Sequence, residues 1–178
     1  SSVSVYGRNT GRNIDEKSSI RIINGYSMCK YVSELLYMQN IDYRKLLIFR
    51  LPLVVGDNPK GNLNLLYDRV NNGFMVLFSG NISKKSFLEI KDLSRIIAEN
   101  FDMTGIYNLK SYDKNFNDFV IEYSSINKKK VFFMNSIILK MSLFFCRLLN
   151  LKQINSRLIK MTTSLTFSNN KFINDRNN

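Results

Sequence analysis

A tyrosine and a lysine four residues apart, Tyr26 and Lys30 in the stretch YSMCKYVSE, are the residues of this sequence best suited to acid–base chemistry. On a helix that spacing stacks the two side chains about one turn apart on one face, so a phenol and an ammonium can share a site. A phenol at its reference pKa of about 10 is a weak base at neutral pH, and a nearby cation favours the phenolate. The plain alternative for an isolated pair is a half-buried aromatic followed by a solvated lysine. Other chemistries are closed off. The chain has no histidine, which excludes a His-based triad, a His general base and a conventional zinc site. Cys29 and Cys146 stand in no metal or redox spacing and read as reduced thiols of a cytoplasmic protein.

The pair needs elements to hold it. Met28, Tyr31, Val32, Leu35 and Leu36 follow the i, i+3, i+4, i+7, i+8 pattern and predict a helix with these residues toward the core, closed by Asn40. Tyr26 then falls in its first turn. Upstream, the β-branched run of SSVSVYG predicts a strand ending at Gly7, and the polar residues 7–23 predict a surface loop. Downstream, the apolar run Lys45–Phe49 predicts a strand buried on both faces, half of a parallel βαβ arrangement.

In that order and spacing, SSVSVYG, then YSMCK with Glu34 four residues beyond the lysine, then RLPLVVGD at 50–57 resemble the extended short-chain dehydrogenase/reductase family. More narrowly they are similar to its NAD-dependent nucleotide-sugar epimerases and dehydratases, of the UDP-glucose 4-epimerase kind. The resemblance implies roles for particular residues. Ser2, four places before the tyrosine of VYG, would hydrogen-bond the reacting sugar hydroxyl. Tyr26 would be the catalytic base, and Lys30 would hold the nicotinamide ribose and tune Tyr26. Arg50 and Pro52 match the strand and loop that pass beneath the nicotinamide. Asn62 and Leu63 match an Asn-Leu pair that contacts the nucleotide, and Lys85 stands where an arginine binds the diphosphate. Many family members have asparagine where this chain has Leu53, and the dehydratases have Asp and Glu where it has Val3 and Ser4. The first departure narrows the subfamily; the second favours epimerase or simple oxidoreductase chemistry over dehydration.

The implied cofactor is NAD, with NADP disfavoured, and the implied partner is a nucleotide-sugar substrate; a homodimer of the intact enzyme is compatible with the family. None of the eight glycines forms the strand-to-helix fingerprint that grips a dinucleotide pyrophosphate. The expectation is therefore a fragment, cut at both ends, that holds the catalytic and substrate side of a larger enzyme and is inactive and prone to aggregate alone. Residues 1–56 would be the C-terminal part of a Rossmann-like NAD-binding domain. Residues 57–178 would be mainly the substrate lobe, interleaved with Rossmann-like elements.

Composition agrees with a folded α/β chain: 44% of the 178 residues are hydrophobic, with 13 Phe and 9 Tyr. A net charge of +12 suits phosphate-bearing ligands, an anionic membrane surface or nucleic acid, but no nucleic-acid motif accompanies it. Beyond the third motif, the sequence predicts a turn-rich loop Gly56–Gly61, a helix to Val70 capped by Asn62, and a strand Phe74–Phe78. Then follow KKSFLEIKDL, a helix Leu93–Phe101, a strand Gly105–Leu109, a helix Phe116–Tyr123, and a late strand and short helix over Ser164–Phe172. Lys84 and Lys85 are equally read as a solvated pair. Val131–Leu149 is apolar over nearly a membrane span, but Lys140 at its centre, Asn135 and Ser136 point to a buried or capping helix and no integral membrane segment. Two other readings stay open: a non-catalytic truncated relic, and a basic module that binds a membrane surface or nucleic acid. The sugar and the nucleotide are not legible.

Overall fold

The computed structural model describes the backbone of residues 1–57, 59, 61–100 and 102–177, and their side chains except those at 136, 140, 145–147, 152–154, 156 and 157. Asn58 and Lys60 of the expected loop, Phe101, and the side chains of Ser136, Lys140, Cys146 and Arg147 lie outside the described residues. A tight 3-10 turn, Val3–Tyr6, is followed by β1 (Gly11–Ile14), α1 (Gly25–Asn40) and a second 3-10 turn, Tyr43–Lys45. Then come β2 (Leu47–Arg50), β3 (Leu53–Val55), α2 (Asn62–Asn71), β4 (Val76–Phe78), β5 (Lys84–Glu89), α3 (Ile90–Glu99), β6 (Gly105–Asn108) and β7 (Tyr112–Asn115). The chain continues through α4 (Phe116–Ile126), β8 (Phe132–Met134), α5 (Ser136–Leu148), α6 (Lys152–Thr162), β9 (Leu165–Phe167) and α7 (Asn170–Arg176).

The architecture is mixed α/β with parallel pairing dominant, as the helix-then-buried-strand pattern predicts. β2 pairs in parallel with β6 over Leu47–Arg50 and Gly105–Asn108. A second sheet runs β1-β9-β5-β3, with β7 antiparallel on β5, and β4 and β8 form a separate parallel pair. Side chains alternate across β5 and so divide the core. Phe87 packs with Leu63, Val70, Leu77, Phe119 and Val120. Leu88, on the other face, packs with Ile96, Tyr107, Leu109 and Phe172.

Several local expectations are corrected. SSVSVYG is not a strand: Ser2 makes a single bridge to Leu51, and Val3–Tyr6 wind into the 3-10 turn. Ser2 Oγ accepts the Ser4 N–H at 3.2 Å, and Gly7 closes the turn in the left-handed region at φ 58°. The β-branched run reflects burial rather than extension, because Val5 and Tyr6 are fully buried. The polar stretch 7–23 contains β1, whose sequence GRNI lacks a strand pattern and is ordered by pairing with β9. α2 is capped by Gly61 with no side-chain hydrogen bond, so Asn62 is the first helical residue and not the cap. Val131–Leu149 is no buried helix; it divides into β8 and α5, which leave Phe132, Phe133, Ile137 and Met141 more than half exposed. Among the described residues no helix is long and apolar enough to cross a membrane.

Gly7 offers a direct check on this architecture. A Cβ there would lie 2.0 Å from the Arg21 carbonyl oxygen, whereas at Gly73, also left-handed at φ 71°, it would meet open space. Both alanine substitutions incur the strain of that conformation, roughly 1–2 kcal/mol, but only Gly7→Ala adds a backbone collision. Its urea midpoint should fall clearly below that of Gly73→Ala, and equal midpoints would refute the packing of this turn against Arg21.

Candidate functional site

α1 begins at Asn24, whose side chain accepts the Ser27 N–H at 2.8 Å while Ser27 Oγ accepts the Asn24 N–H, a reciprocal capping box. This fixes Tyr26 in the first turn, as expected. The Lys30 ammonium lies 5.6 Å from the centre of the Tyr26 ring, so the structure does bring the two predicted residues together. Tyr26 is 59% exposed and Lys30 half-buried.

The orientation of α1 is not the one its apolar stripe predicts. Met28, Val32, Leu35 and Leu36 are exposed; only Tyr31 of the five reaches the core, beside Val5, Tyr6 and Phe167. The residues that α1 buries are Ser27 and Glu34. Steps of four residues advance about 40° around a helix of 3.6 residues per turn. Tyr26, Lys30 and Glu34 thus form a slow spiral from solvent into the interior.

At the inner end of that spiral, Glu34 meets Arg50 at the end of β2 in a bidentate ion pair. Arg50 Nε donates to Oε1 at 3.0 Å and a terminal nitrogen to Oε2 at 2.7 Å, with both side chains at most 5% exposed. The other terminal nitrogen of Arg50 donates to the Tyr6 hydroxyl at 3.0 Å, and that hydroxyl donates to Asn108 Oδ1 on β6 at 2.8 Å. Asn108 in turn donates to the Ile14 carbonyl, and its backbone N–H donates to Glu16. Ser1 Oγ donates to Glu34 at 2.6 Å. Burial alone would pull the Arg50 pKa down; its bonds to Glu34 and Tyr6 outweigh that and hold it above its ordinary value. Burial likewise dominates at Tyr6 and raises its phenol, against the opposing pull of Arg50. The arginine of the third motif, the glutamate beyond the second and the tyrosine of the first are therefore one buried network.

Ser2 and Pro52 reach the same end of β2: Ser2 bridges Leu51, and the Val3 N–H donates to the Leu51 carbonyl at 3.1 Å. Both are half-buried. Asn62 is exposed at the start of α2, while Leu63 is 3% exposed and packs in the core beside Val70 and Phe87. Lys85 departs from the solvated-pair alternative. Lys84 is exposed, but Lys85 is buried and donates from Nζ to the Thr163 carbonyl at 2.6 Å. Desolvation, reinforced by the like charge of Lys160, pulls its pKa down to about 8. Sequence reasoning missed Thr163 and Lys160 here, since a backbone carbonyl and a charge brought from α6 leave no motif. Asn108 could have been suspected, as a polar residue in the otherwise apolar strand GIYN. Among the described residues no group of three or more acidic or cysteine side chains could hold a metal ion.

No protein-family model matches this chain, and no curated protein matches its sequence. Its structure is similar to those of several enzymes. The Bordetella bronchiseptica enzyme WbmG, solved in complex with NAD and UDP, aligns at a TM-score of 0.61 and 16% identity over 97% of this chain and 51% of that one. The protein gox2253 aligns at 0.68 and 17% identity over 99% and 59%. The UDP-glucose 4-epimerase of Thermotoga maritima, solved with UDP-glucose, aligns at 0.55 and 17% identity over 76% and 48%. The chain spans about half the length of these structures. At such identities the likeness is one of fold: this chain has the Rossmann-like fold of part of these proteins.

The buried network predicts an asymmetric response to mutation. Arg50→Met leaves the Glu34 carboxylate buried without its partner and should cost about 3–5 kcal/mol, whereas replacing both residues by Met should recover much of that loss. Chemical denaturation of the two variants and of the unsubstituted chain measures it; a single substitution no worse than the double one would show that the pair is not coupled.

Proposed function

We propose that this chain is the catalytic and substrate-binding side of a NAD-dependent nucleotide-sugar epimerase or closely related oxidoreductase. The observation that carries this reading is the Tyr26–Lys30 pair on α1, whose Glu34 pairs with Arg50 at the end of β2, beside the Leu51 that Ser2 bridges. Three motifs that are separate in sequence are held there as one body. Structures of the same fold, one solved with NAD and UDP and another with UDP-glucose, support it.

The residues present fit one end of the dinucleotide. The Lys30 amine and the Tyr26 phenol stand on an accessible helix turn, suited to a ribose hydroxyl and a reacting hydroxyl respectively. No glycine fingerprint for the pyrophosphate occurs in this sequence, so the chain by itself is proposed to be inactive. NAD, when bound, accepts and returns a hydride. Tyr26, as phenolate, would take the proton from a sugar hydroxyl, and Lys30 would stabilise that phenolate by its charge. Ser2 Oγ would share a hydrogen bond with the same hydroxyl. Asn62 and the Leu63 backbone, in the first turn of α2, offer N–H groups to the nucleotide, and Lys85 would carry the positive charge for the diphosphate. Val3 and Ser4, in place of an acid and a base, leave epimerisation or simple oxidation as the reactions served.

The test uses the longest reading frame that contains this chain. Tyr26→Phe should lower kcat for oxidation of a nucleotide sugar by about 10²–10⁴-fold, and Lys30→Ala should also weaken NAD binding. If that longer protein binds no NAD, or if Tyr26→Phe keeps full kcat, the reading fails and the relic alternative takes its place.

Lys85 supplies a pH dependence with a definite sign. Its proton is held less tightly in the folded chain, near pH 8, than at the ordinary 10.5. Between those values the unfolded chain binds more protons, so stability should rise with pH across that window. Diphosphate binding needs the ammonium and should weaken as pH rises through 8. A UDP titration at several pH values, with Lys85→Met as the pH-insensitive reference, measures this; a flat profile in the unsubstituted protein would remove Lys85 from the site.

A further inference from the structure

β8 and α5 present an apolar surface that the core does not use. Phe132 and Phe133 are both more than half exposed, and Phe74, 78% exposed, lies beside them where the Phe132 N–H donates to the Met75 carbonyl. Along α5, Ile137, Met141 and Leu148 stand four and seven residues apart, hence on one helix face, and each is more than half exposed. A set of large apolar side chains of this extent marks an interaction surface.

Charge narrows the occupant. Exposed Lys128, Lys129 and Lys130 lead directly into β8, and exposed Lys160 lies on α6, which packs against α5. Between Glu122 and Asp175 the sequence contains lysines and arginines but no acidic residue, so all 14 Asp and Glu of the chain lie outside that stretch. A second copy of the chain would bring two surfaces of the same sign together. Nucleic acid would meet the lysines and find stacking planes on Phe74, Phe132 and Phe133, but it would leave unused the aliphatic face of α5, Ile137, Met141 and Leu148, which offers neither a stacking plane nor a hydrogen bond. An anionic lipid surface satisfies both features at once: lysines on the headgroups and aliphatic side chains at the acyl boundary. α5, with 13 residues, is about 20 Å long, too short to span a bilayer and suited to lying along one.

We propose that β8 and α5 form a peripheral docking surface for an anionic bilayer, with α5 in the interfacial plane. This rests on none of the residues assigned to the enzymatic reading and stands or falls separately from it.

The test is co-sedimentation of the full chain with phosphatidylcholine vesicles, with and without phosphatidylglycerol. Binding is expected only with phosphatidylglycerol and should weaken as salt is raised. At about 1 kcal/mol per lysine near the surface, replacing Lys128, Lys129 and Lys130 together by Ala should weaken it roughly 100-fold. Ile137→Glu with Met141→Glu should abolish it, and Leu148→Gln serves as a milder change should that double variant lose its circular dichroism. Binding that ignores phosphatidylglycerol, or that survives both the lysine and the α5 substitutions, overturns the proposal. So does a concentration-dependent dimer that the α5 substitutions dissociate while vesicles are ignored, or salt-sensitive capture of a duplex DNA oligonucleotide in place of vesicles.

Discussion

The Glu34–Arg50 ion pair sets the orientation of everything around it. Two opposite charges at most 5% exposed are tolerated only if each is fully partnered. That requirement fixes the rotation of α1 about its axis and its distance from the end of β2. Once Glu34 is committed inward, the four-residue stagger leaves Lys30 partly buried and Tyr26 at the surface, with no freedom for a different choice. Tyr6 and Asn108 extend the same constraint to the opening turn and to β6. Geometry that looks catalytic at the surface is thus determined by electrostatics one layer below it.

The same interaction explains why the apolar pattern of α1 misleads. Met28, Val32, Leu35 and Leu36 make a regular stripe, and burying it would have been favourable by the usual area argument. The helix instead turns its polar stripe of Ser27 and Glu34 inward, because an unpaired Arg50 at the end of a buried strand would be far more costly than a few exposed aliphatic side chains. Periodicity reports which residues could form a face; it does not report which face a buried charge demands.

What the sequence discloses divides along similar lines. Elements whose identity is local were legible: α1 from its spacing and its end at Asn40, α2, β6, and the late strand and helix that are β9 and α7. So was the chemical pair Tyr26–Lys30, which needs only helical spacing. Elements made by distant partners were not. GRNI becomes β1 only against β9, and VSVY becomes a 3-10 turn because Val5 and Tyr6 are packed beneath Ile14 and Phe167. Lys85 read equally as a diphosphate contact and as half of a solvated pair, since nothing in its neighbours announces that its amine will meet a carbonyl 78 residues away.

The position of β9 between β1 and β5 has a consequence for how the chain is made. Strands drawn from residues 11–14 and 84–89 are not neighbours in the sheet; the three residues 165–167 are the seam between them. On a ribosome, residues 11–14 therefore emerge without the partner that makes them a strand, and β5 emerges with an edge that nothing synthesised up to then can cover. The sheet can close only when Leu165–Phe167 emerge and slide between two segments made long before. Until that moment residues 11–14 have no strand to pair with, and β5 keeps one edge open.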